Sequence, residues 1–318
     1  MRIDCTKNFG GCNNFMPRNV KLLDQVPAVI GPRQLSHRTK DTYYGTSLFA
    51  RGFVFLLLVG FLFGGRCLGQ TSSAAQVKLG SNTAKNGFKN EDEIRDKFNN
   101  WKADEDARLW LGVMGFKTAE IISVFAQKPH GEKSDVDVLV KTKSGERTEG
   151  VSIKLVSSPN GFNQIDKRWL AHYVKMWNMP PAVEAALKLF VGETPPIKPS
   201  RNKGRMFLDE LSPEQQKAVI DFFTANCTKI LHDLFRGEGP HAATWFMVAL
   251  KATENTKWVL RRDEEVMRFF GDGKIEITRA GNLKIGRITV QRKGGDGGRD
   301  TAKMLQFKIN PALLFDAK

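Results

Sequence analysis

Two residues with the chemistry for phosphodiester hydrolysis, Asp135 and Lys154, lie on two predicted strands that follow each other in the chain. Alternating and apolar residues predict strands over 135–142 and 150–156, and Ser144-Gly145 between them predicts a hairpin turn. A carboxylate can hold Mg²⁺, and an amine beside the metal can orient or activate the attacking water. Because hairpin pairing brings the two side chains within reach of one metal, the sequence predicts a metal-dependent hydrolytic centre.

Further oxygen ligands are available beside this pair. Asp137 lies two residues after Asp135, so both carboxylates are expected on the same side of the strand. The carbonyl oxygen of Ile153 would also suit a hard cation. The alternative interpretation is an ordinary hairpin with solvated ends, because an aspartate and a lysine at this spacing recur by chance.

The composition favours a polyanionic partner. The chain has 318 residues, with 49 Lys and Arg against 34 Asp and Glu, and a formal net charge of +15. Nucleic acid fits this excess better than a membrane surface, because no basic amphipathic helix stands out in the sequence. The four cysteines form no CxxC pair and no HExxH occurs, so a structural zinc site and a zincin are unsupported.

Residues 1–76 differ from the rest of the chain and form a leader with three open interpretations. Within it, 53–63 is an uninterrupted apolar run, shorter than the ~20 residues of a membrane span and similar to a signal segment. It begins beyond the first ~30 residues, where secretory signals normally lie. The run is a targeting segment, a membrane anchor, or upstream sequence included by a misplaced start. We favour the last, which predicts a cytoplasmic protein; the others predict an exported or tethered one.

From residue 77 the sequence predicts a single α/β body, 77–318. Asn90 is expected to cap a helix that buries Ile94, Phe98 and Trp101, and the strands described above follow a first strand at 119–126. The next helix is predicted from fourfold spacing of Ile165, Trp169, Tyr173 and Trp177. Later strands are predicted at 244–250, 257–260, 274–278, 283–291 and 304–309. The pattern predicts a mixed sheet flanked by helices, with a catalytic core at about 90–180 and a strand-rich recognition part at about 240–318.

The order of helix, strand, Ser134-Asp135 strand, Lys154 strand and helix is that of the PD-(D/E)XK nuclease core. Longer stretches resemble the HinP-type restriction endonucleases, which are type II enzymes that cut double-stranded DNA at GCGC. These stretches are 78–85, 87–91, 154–157, 161–167, 192–196, 205–207, 291–296 and 304–309. The resemblance implies a Mg²⁺ cofactor, double-stranded DNA as partner, and a cognate DNA methyltransferase that protects host DNA without binding the enzyme. We expect a monomer or weak dimer.

The resemblance also implies roles for single residues at the catalytic centre. Asp135 matches the metal-binding aspartate and Lys154 the catalytic lysine, and Glu91 or Glu93 would supply an acidic helix residue near the metals. Where the family has glutamine two residues before the lysine, this chain has Ser152, a shorter and weaker neutral ligand.

The expected metal ligands are therefore Asp135, Ser152, the carbonyl of Ile153, and Asp137, whose charge would compensate for the serine. If it does not, the rival hypothesis is a sequence-specific DNA-binding protein that has lost cleavage through Ser152.

Two segments are expected to read the DNA. Phe162 and Gln164 resemble the family's pair that enters the duplex, where an aromatic wedge can unstack a base step and an amide can bond exposed base edges; Asn163 between them is expected to contact the DNA as well. The second segment contains Gln291, Arg292, Lys293 and Asp296. Arginine or lysine to guanine, and a carboxylate to the amino group of cytosine, would suit a site made only of G·C pairs.

Overall fold

The computed structural model describes residues 73–252 and 256–317. The apolar run 53–63 and nearly all of the leader lie outside the described residues. Among the helices that the structure describes, none combines the length and apolarity that a membrane span requires.

The described helices are α1 (Ser73–Asn99), α2 (Glu105–Val113), α3 (Leu170–Trp177), α4 (Pro181–Val191), α5 (Pro213–Ala225), α6 (Cys227–Phe235) and α7 (Asp263–Gly271). The described strands are β1 (Ile121–Gln127), β2 (Val136–Thr142), β3 (Gly145–Val156), β4 (Asn163–Arg168), β5 (Trp245–Leu250), β6 (Lys257–Arg262), β7 (Ile275–Ile277), β8 (Leu283–Ile285), β9 (Ile288–Arg292) and β10 (Leu305–Ile309).

The strands form two five-stranded sheets. The first sheet has the order β1-β2-β3-β5-β6, and only its β3–β5 pair is parallel. The second sheet has the order β4-β10-β9-β8-β7 and is antiparallel throughout. The expected fold class, a mixed sheet flanked by helices together with a strand-rich part, is confirmed.

The two sheets draw strands from both halves of the chain. β5 and β6, from the segment expected to form the recognition part, complete the first sheet beside β3. β4, from the segment expected to form the catalytic core, is instead an edge strand of the second sheet. Because β4 follows β3 after only a short turn, it connects the strand that carries Lys154 directly to the second sheet.

Helix α1 packs on the first sheet. Ile94 and Phe98 are fully buried with Val136 and Val151, as their spacing predicts. The expected start of this helix at Asn90 is wrong, because α1 begins at Ser73 and Asn90 lies buried in its interior. Asparagine is tolerated in the interior of a helix, and no proline in the preceding residues forces the helix to begin later.

Helices α3 to α6 pack with the second sheet around an aromatic cluster. The rings of Tyr173 and Trp177 stack at 4.7 Å, and Trp177 meets Phe307 of β10 edge-on at 5.7 Å. The helix predicted from Ile165 onward is wrong in its first half, since Ile165 belongs to β4 and α3 begins at Leu170. Backbone pairing with the distant β10 overrides the local helical spacing.

A capping box at Ser212 begins helix α5. The Ser212 hydroxyl accepts a hydrogen bond from the Gln215 backbone N–H at 3.3 Å, and the Gln215 side chain accepts one from the Ser212 N–H at 3.2 Å. Helix α5 is followed directly by α6, from which it is separated at Asn226.

Candidate active site

The Asp135 carboxylate lies against the middle of β3. Its residue precedes β2, and its backbone N–H donates to the Val151 carbonyl at 2.9 Å, which fixes the entry to the strand. The Oδ2 atom accepts hydrogen bonds from the Ile153 N–H at 2.6 Å and from the Ser152 hydroxyl at 3.3 Å. The hairpin thus brings together the carboxylate and the residues around Lys154, as the sequence predicts.

The ammonium group of Lys154 lies among three oxygen atoms. It is 3.0 Å from the Ile153 carbonyl oxygen, 3.3 Å from the Ser152 hydroxyl and 3.5 Å from Asp135 Oδ2. The Lys154 side chain is only 16% exposed and that of Asp135 is 26% exposed. A positive charge therefore occupies the centre of this oxygen cluster at the edge of an open cleft.

Asp137 does not share this cluster. Its Oδ1 accepts a hydrogen bond from the Ser134 hydroxyl at 2.5 Å, and its Oδ2 lies 2.5 Å from His241 Nδ1. The two carboxylates were expected on the same side of the strand. They are not together, because Asp135 precedes β2, whereas Asp137 lies within the strand and is buried.

His241 is a site residue that the sequence did not indicate. It follows Asp137 by 104 positions, and its carbonyl also accepts a hydrogen bond from the Ser134 N–H at 3.1 Å. Gly150 permits this approach, because a Cβ there would lie 2.1 Å from the Ala242 carbonyl oxygen. His241 therefore fixes Ser134 and Asp137, which lie on either side of Asp135 in the chain.

Helix α1 contributes one carboxylate on this side of the molecule. Glu91 is 15% exposed and forms an ion pair with Lys128 at 3.0 Å. Burial raises the pKa of Glu91 above its ordinary value; Lys128 opposes this rise, and the negative charge of Asp135 adds to it. Glu93 instead forms an ion pair with Lys251. Of the two glutamates considered from the sequence, Glu91 is the one whose charge interacts with Asp135.

The oxygen cluster opens into a cleft of about 520 Å³. Basic residues are prominent in its lining: Lys133, Lys154, Arg168 and Lys229. Its lining also includes Asp233 and Glu238, which with His232 place potential metal-ligating atoms within 4.8 Å of one another. Asp233 accepts a hydrogen bond from the Trp177 indole at 2.5 Å. A slightly larger cleft of about 620 Å³, beside α7, contains none of the predicted site residues.

The first predicted reading segment lies at the turn from β3 to β4. Phe162 is 58% exposed although it is a large apolar residue, and Gln164 is also exposed. The Asn163 amide donates to the Leu155 carbonyl at 2.8 Å, which fixes the turn to the end of β3. Phe162 and Gln164 are therefore presented to solvent close to the strand that carries Lys154.

The second predicted reading segment lies at the other end of the same sheet. Gln164 is in register with Lys308 of β10, which pairs with Thr289, whereas Gln291 is in register with Gln306, opposite Lys167. The positions opposite Gln164 and Gln291 on β10 are therefore two residues apart, and the two segments continue beyond opposite ends of that strand. The structure does not bring them to one point, as it does Asp135 and Lys154.

Within the second segment, two of the predicted reading residues contact each other. The Asp296 carboxylate accepts hydrogen bonds from Lys293 and Thr301, and from Arg299 at 2.9 Å. These contacts, led by the one from Lys293, lower the pKa of Asp296 to about 2. Arg292 donates to the Ala302 carbonyl at 3.0 Å. Lys293 and Asp296 thus organise the loop, and Gln291 lies half-buried at its start.

A family model described as the R.HinP1I restriction endonuclease matches residues 114–315, more than half of the chain. The chain belongs to the R.HinP1I restriction endonuclease family. It is a type II restriction endonuclease, and its activity is site-specific DNA cleavage. The matched residues include Asp135, Lys154 and both predicted reading segments.

One solved structure similar to the endonuclease is that of the restriction endonuclease MspI in complex with its cognate DNA. The likeness has a TM-score of 0.49 at 13% sequence identity, and it covers 73% of this chain and 92% of MspI. Among the curated proteins compared, none matches the chain significantly.

Proposed function

We propose that this endonuclease hydrolyses both strands of DNA at GCGC with Mg²⁺ as cofactor, inside a restriction–modification system whose methyltransferase protects host DNA. The observation that carries the catalytic part is the position of the Lys154 ammonium among oxygens of Asp135, Ser152 and Ile153. The GCGC specificity rests on membership of the R.HinP1I family and on the matched segments 161–167 and 291–296.

The donor atoms at the centre fit Mg²⁺. In the described part of the chain, the hydrogen bonds and the ion pair to the Asp135 carboxylate use Oδ2. The Oδ1 atom would then be the one that binds Mg²⁺. The Ile153 carbonyl, the Ser152 hydroxyl and the Glu91 carboxylate are the further oxygen donors. Mg²⁺ is a hard cation that prefers oxygen ligands and keeps several waters, which an open cleft admits. Asp137, with both oxygens already bonded, would position Asp135 rather than bind metal.

Mg²⁺, when bound, would supply Lewis-acid charge and lower the pKa of a coordinated water. The chain's own residues would do the rest. Lys154 lines the cleft, where its ammonium would orient the attacking water or neutralise a phosphate oxygen. The bonds from His241 and Ser134 to Asp137 would hold the Asp135 peptide still during the reaction.

Glu91→Gln is expected to weaken Mg²⁺ binding without harming the fold. Removing one charged oxygen donor near the metal should lower metal affinity ~10–100-fold, as is typical for supporting residues of metal sites. Because the raised pKa of Glu91 means that the fold disfavours its ionised form, stability at neutral pH without metal should be unchanged or higher. Cleavage rate against Mg²⁺ concentration, together with urea unfolding, measures both effects. Glu93→Gln is the matched control, and an equal shift in both variants would contradict the role of Glu91.

Phe162→Ala is expected to weaken binding at the recognition site and to leave stability unchanged. Phe162 is 58% exposed, so truncation removes little from the core, while loss of an unstacking wedge should weaken cognate binding by about 1–3 kcal/mol. The control is Phe125→Ala, since Phe125 is 56% exposed on the edge strand β1. Binding is measured on a GCGC duplex with Ca²⁺ in place of Mg²⁺. Equal affinity for both variants would remove Phe162 from the reading surface.

The rival hypothesis of a DNA-binding protein without cleavage has a direct test. The full-length chain is incubated with a GCGC duplex in Mg²⁺, and in EDTA as control, and both binding and strand breaks are followed. The proposed function predicts cleavage of both strands that needs Mg²⁺. Tight binding without strand breaks would select the rival and would make Ser152 the residue that abolished catalysis; Ser152→Gln would then be expected to restore cutting.

The proposed setting follows from the substrate. An enzyme that restricts incoming DNA acts in the cytoplasm beside its methyltransferase, and we propose that it works as a monomer or weak dimer. The exported alternative depends on 53–63, and sequencing the N-terminus of the mature protein would decide between the two.

A further inference from the structure

Asp166, in the middle of β4, is a buried carboxylate that four nitrogen and oxygen atoms from three residues contact. Arg168 donates from Nε at 3.0 Å and from Nη2 at 3.1 Å, and the Tyr173 hydroxyl donates at 2.5 Å. The fourth group is the Lys133 ammonium, 3.5 Å from Oδ2, which also lies 3.4 Å from the Ile165 carbonyl oxygen. The Asp166 side chain is 8% exposed and that of Lys133 is 15% exposed. Lys133 therefore bonds to the backbone and to a side chain of β4.

Lys133 is held tightly on its other side. Gly237, at φ +69°, packs against its stem, and a Cβ on that glycine would lie 2.9 Å from Lys133 Cβ. Burial lowers the pKa of Lys133 to about 8; Asp166 opposes this fall, and the charges of Lys154 and Arg168 add to it. A buried lysine in such surroundings is costly compared with an apolar residue of similar size. Arg168 and Tyr173 already satisfy Asp166, so the carboxylate does not require the lysine.

The position of this pair in the chain gives it a consequence for catalysis. Lys133 lies two residues before Asp135, in the same connection that leads into β2. Asp166 lies two residues after Gln164, on the same strand. One contact thus joins the segment that carries the catalytic carboxylate to the strand whose start presents Phe162 and Gln164. The position of β4 and the position of the connection before Asp135 are therefore linked through this contact.

We propose that Lys133 and Asp166 form a positioning pair that couples reading of the DNA site by β4 to placement of Asp135. This inference rests on the proposed function and concerns the control of that same centre. At the cognate sequence, entry of Phe162 and Gln164 into the duplex sets β4, and the pair sets the Asp135 connection in its cleaving geometry. At a sequence with one wrong base pair, β4 does not take up its position on the DNA, and Asp135 does not reach its cleaving geometry.

The test compares Lys133→Met with Lys175→Met in the full-length chain. Both changes remove one positive charge, but Lys175 is exposed on α3 and is not part of the cleft lining. Three quantities are measured: single-turnover cleavage at saturating GCGC duplex, the same rate on a duplex with one base pair changed, and binding of each duplex in Ca²⁺.

For Lys133→Met we expect a cognate rate ~10–100-fold lower, the usual loss for a residue that orients a metal site, with cognate binding within ~3-fold of the parent. The ratio of cognate to altered-site rates should fall about tenfold, because cleavage no longer depends on β4 being seated. Lys175→Met should behave as the parent. Asp166→Asn should reproduce the loss, the double variant should be no worse than either single one, and Lys133→Arg should recover part of the rate.

Several results would overturn the inference. A parent-like rate for Lys133→Met removes the coupling. An unchanged ratio of the two rates, or a loss confined to binding, would make Lys133 a structural residue or a phosphate contact. If Lys133→Met does not fold, the same measurements are made on Lys133→Arg and Asp166→Asn. A parent-like ratio of cognate to altered-site rates in both variants would overturn the proposed role of the pair. If the unaltered chain does not cleave DNA, the proposed function itself is refuted. If the unaltered chain cleaves and Lys133→Met cleaves equally well, only the coupling is refuted.

Discussion

Lys154→Ala is expected to abolish cleavage while DNA binding persists. The ammonium of Lys154 is the positively charged group within the oxygen cluster and can orient an attacking water or neutralise a phosphate oxygen, so its loss should lower the single-turnover rate by ~10²–10⁴-fold. Cognate affinity in Ca²⁺ should stay within a few-fold of the parent, because the predicted reading residues lie on β4 and in the 291–296 loop. Quench-flow or gel assays on a single-site duplex measure the rate.

Lys141→Ala is the matched control for this experiment. Lys141 is an exposed lysine on β2, in the same sheet and with the same charge, but it is not part of the cleft lining. It should cut as the parent does. If Lys154→Ala cut at the parent's rate, the oxygen cluster would not be the catalytic centre, whatever the family membership implies for the rest of the chain.

Gly150→Ala is expected to lose both stability and activity. A Cβ at this position would lie 2.1 Å from the Ala242 carbonyl oxygen and 3.1 Å from Ser134 Cβ, and a backbone oxygen cannot move aside as a side chain can. The methyl group must push the 241–242 segment away from β3, which carries His241 off Asp137. Overpacking of this kind costs about 1–3 kcal/mol of the free energy of unfolding. Urea unfolding measures this loss.

The accompanying fall in cleavage is measured on protein that remains folded. We expect it to exceed what the unfolded fraction explains, because displaced His241 and Ser134 no longer hold the Asp135 connection. Gly112→Ala is the control: Gly112 lies in α2, a Cβ there meets nothing within 4 Å, and alanine should leave stability equal or raise it by up to ~1 kcal/mol. Equal stability of the two variants would contradict the close packing at Gly150.

The contrast between Asp135 and Asp137 shows which parts of the site can be predicted from the sequence. The pairing of Asp135 with Lys154 is local, because one hairpin supplies both strands and the period of two places the residues. The partner of Asp137 is His241, 104 residues away and reached through the parallel β3–β5 contact. Local spacing carries no signal for such a contact. The sequence therefore predicted that Asp137 binds the metal together with Asp135, whereas in the structure Asp137 is bonded to His241.

The reading residues show the same limit. Exposure of Phe162 and Gln164 agrees with the expected wedge, but β4 from Ile165 onward was predicted as helix, because the pairing of β4 with β10 is not local. The register that places Gln291 two positions from Gln164 along β10 is likewise fixed only by the pairing of β10 with β9 and β4. The internal contact between Lys293 and Asp296, three positions apart, depends on the backbone turn that follows β9.

The most direct test of the central claim is to map the DNA ends that the full-length chain produces from a plasmid in Mg²⁺. We expect discrete fragments whose ends all fall at GCGC, with no cutting of plasmid methylated at that sequence and none by Lys154→Ala. Ends at unrelated sequences, or identical fragments from Lys154→Ala, would contradict this claim.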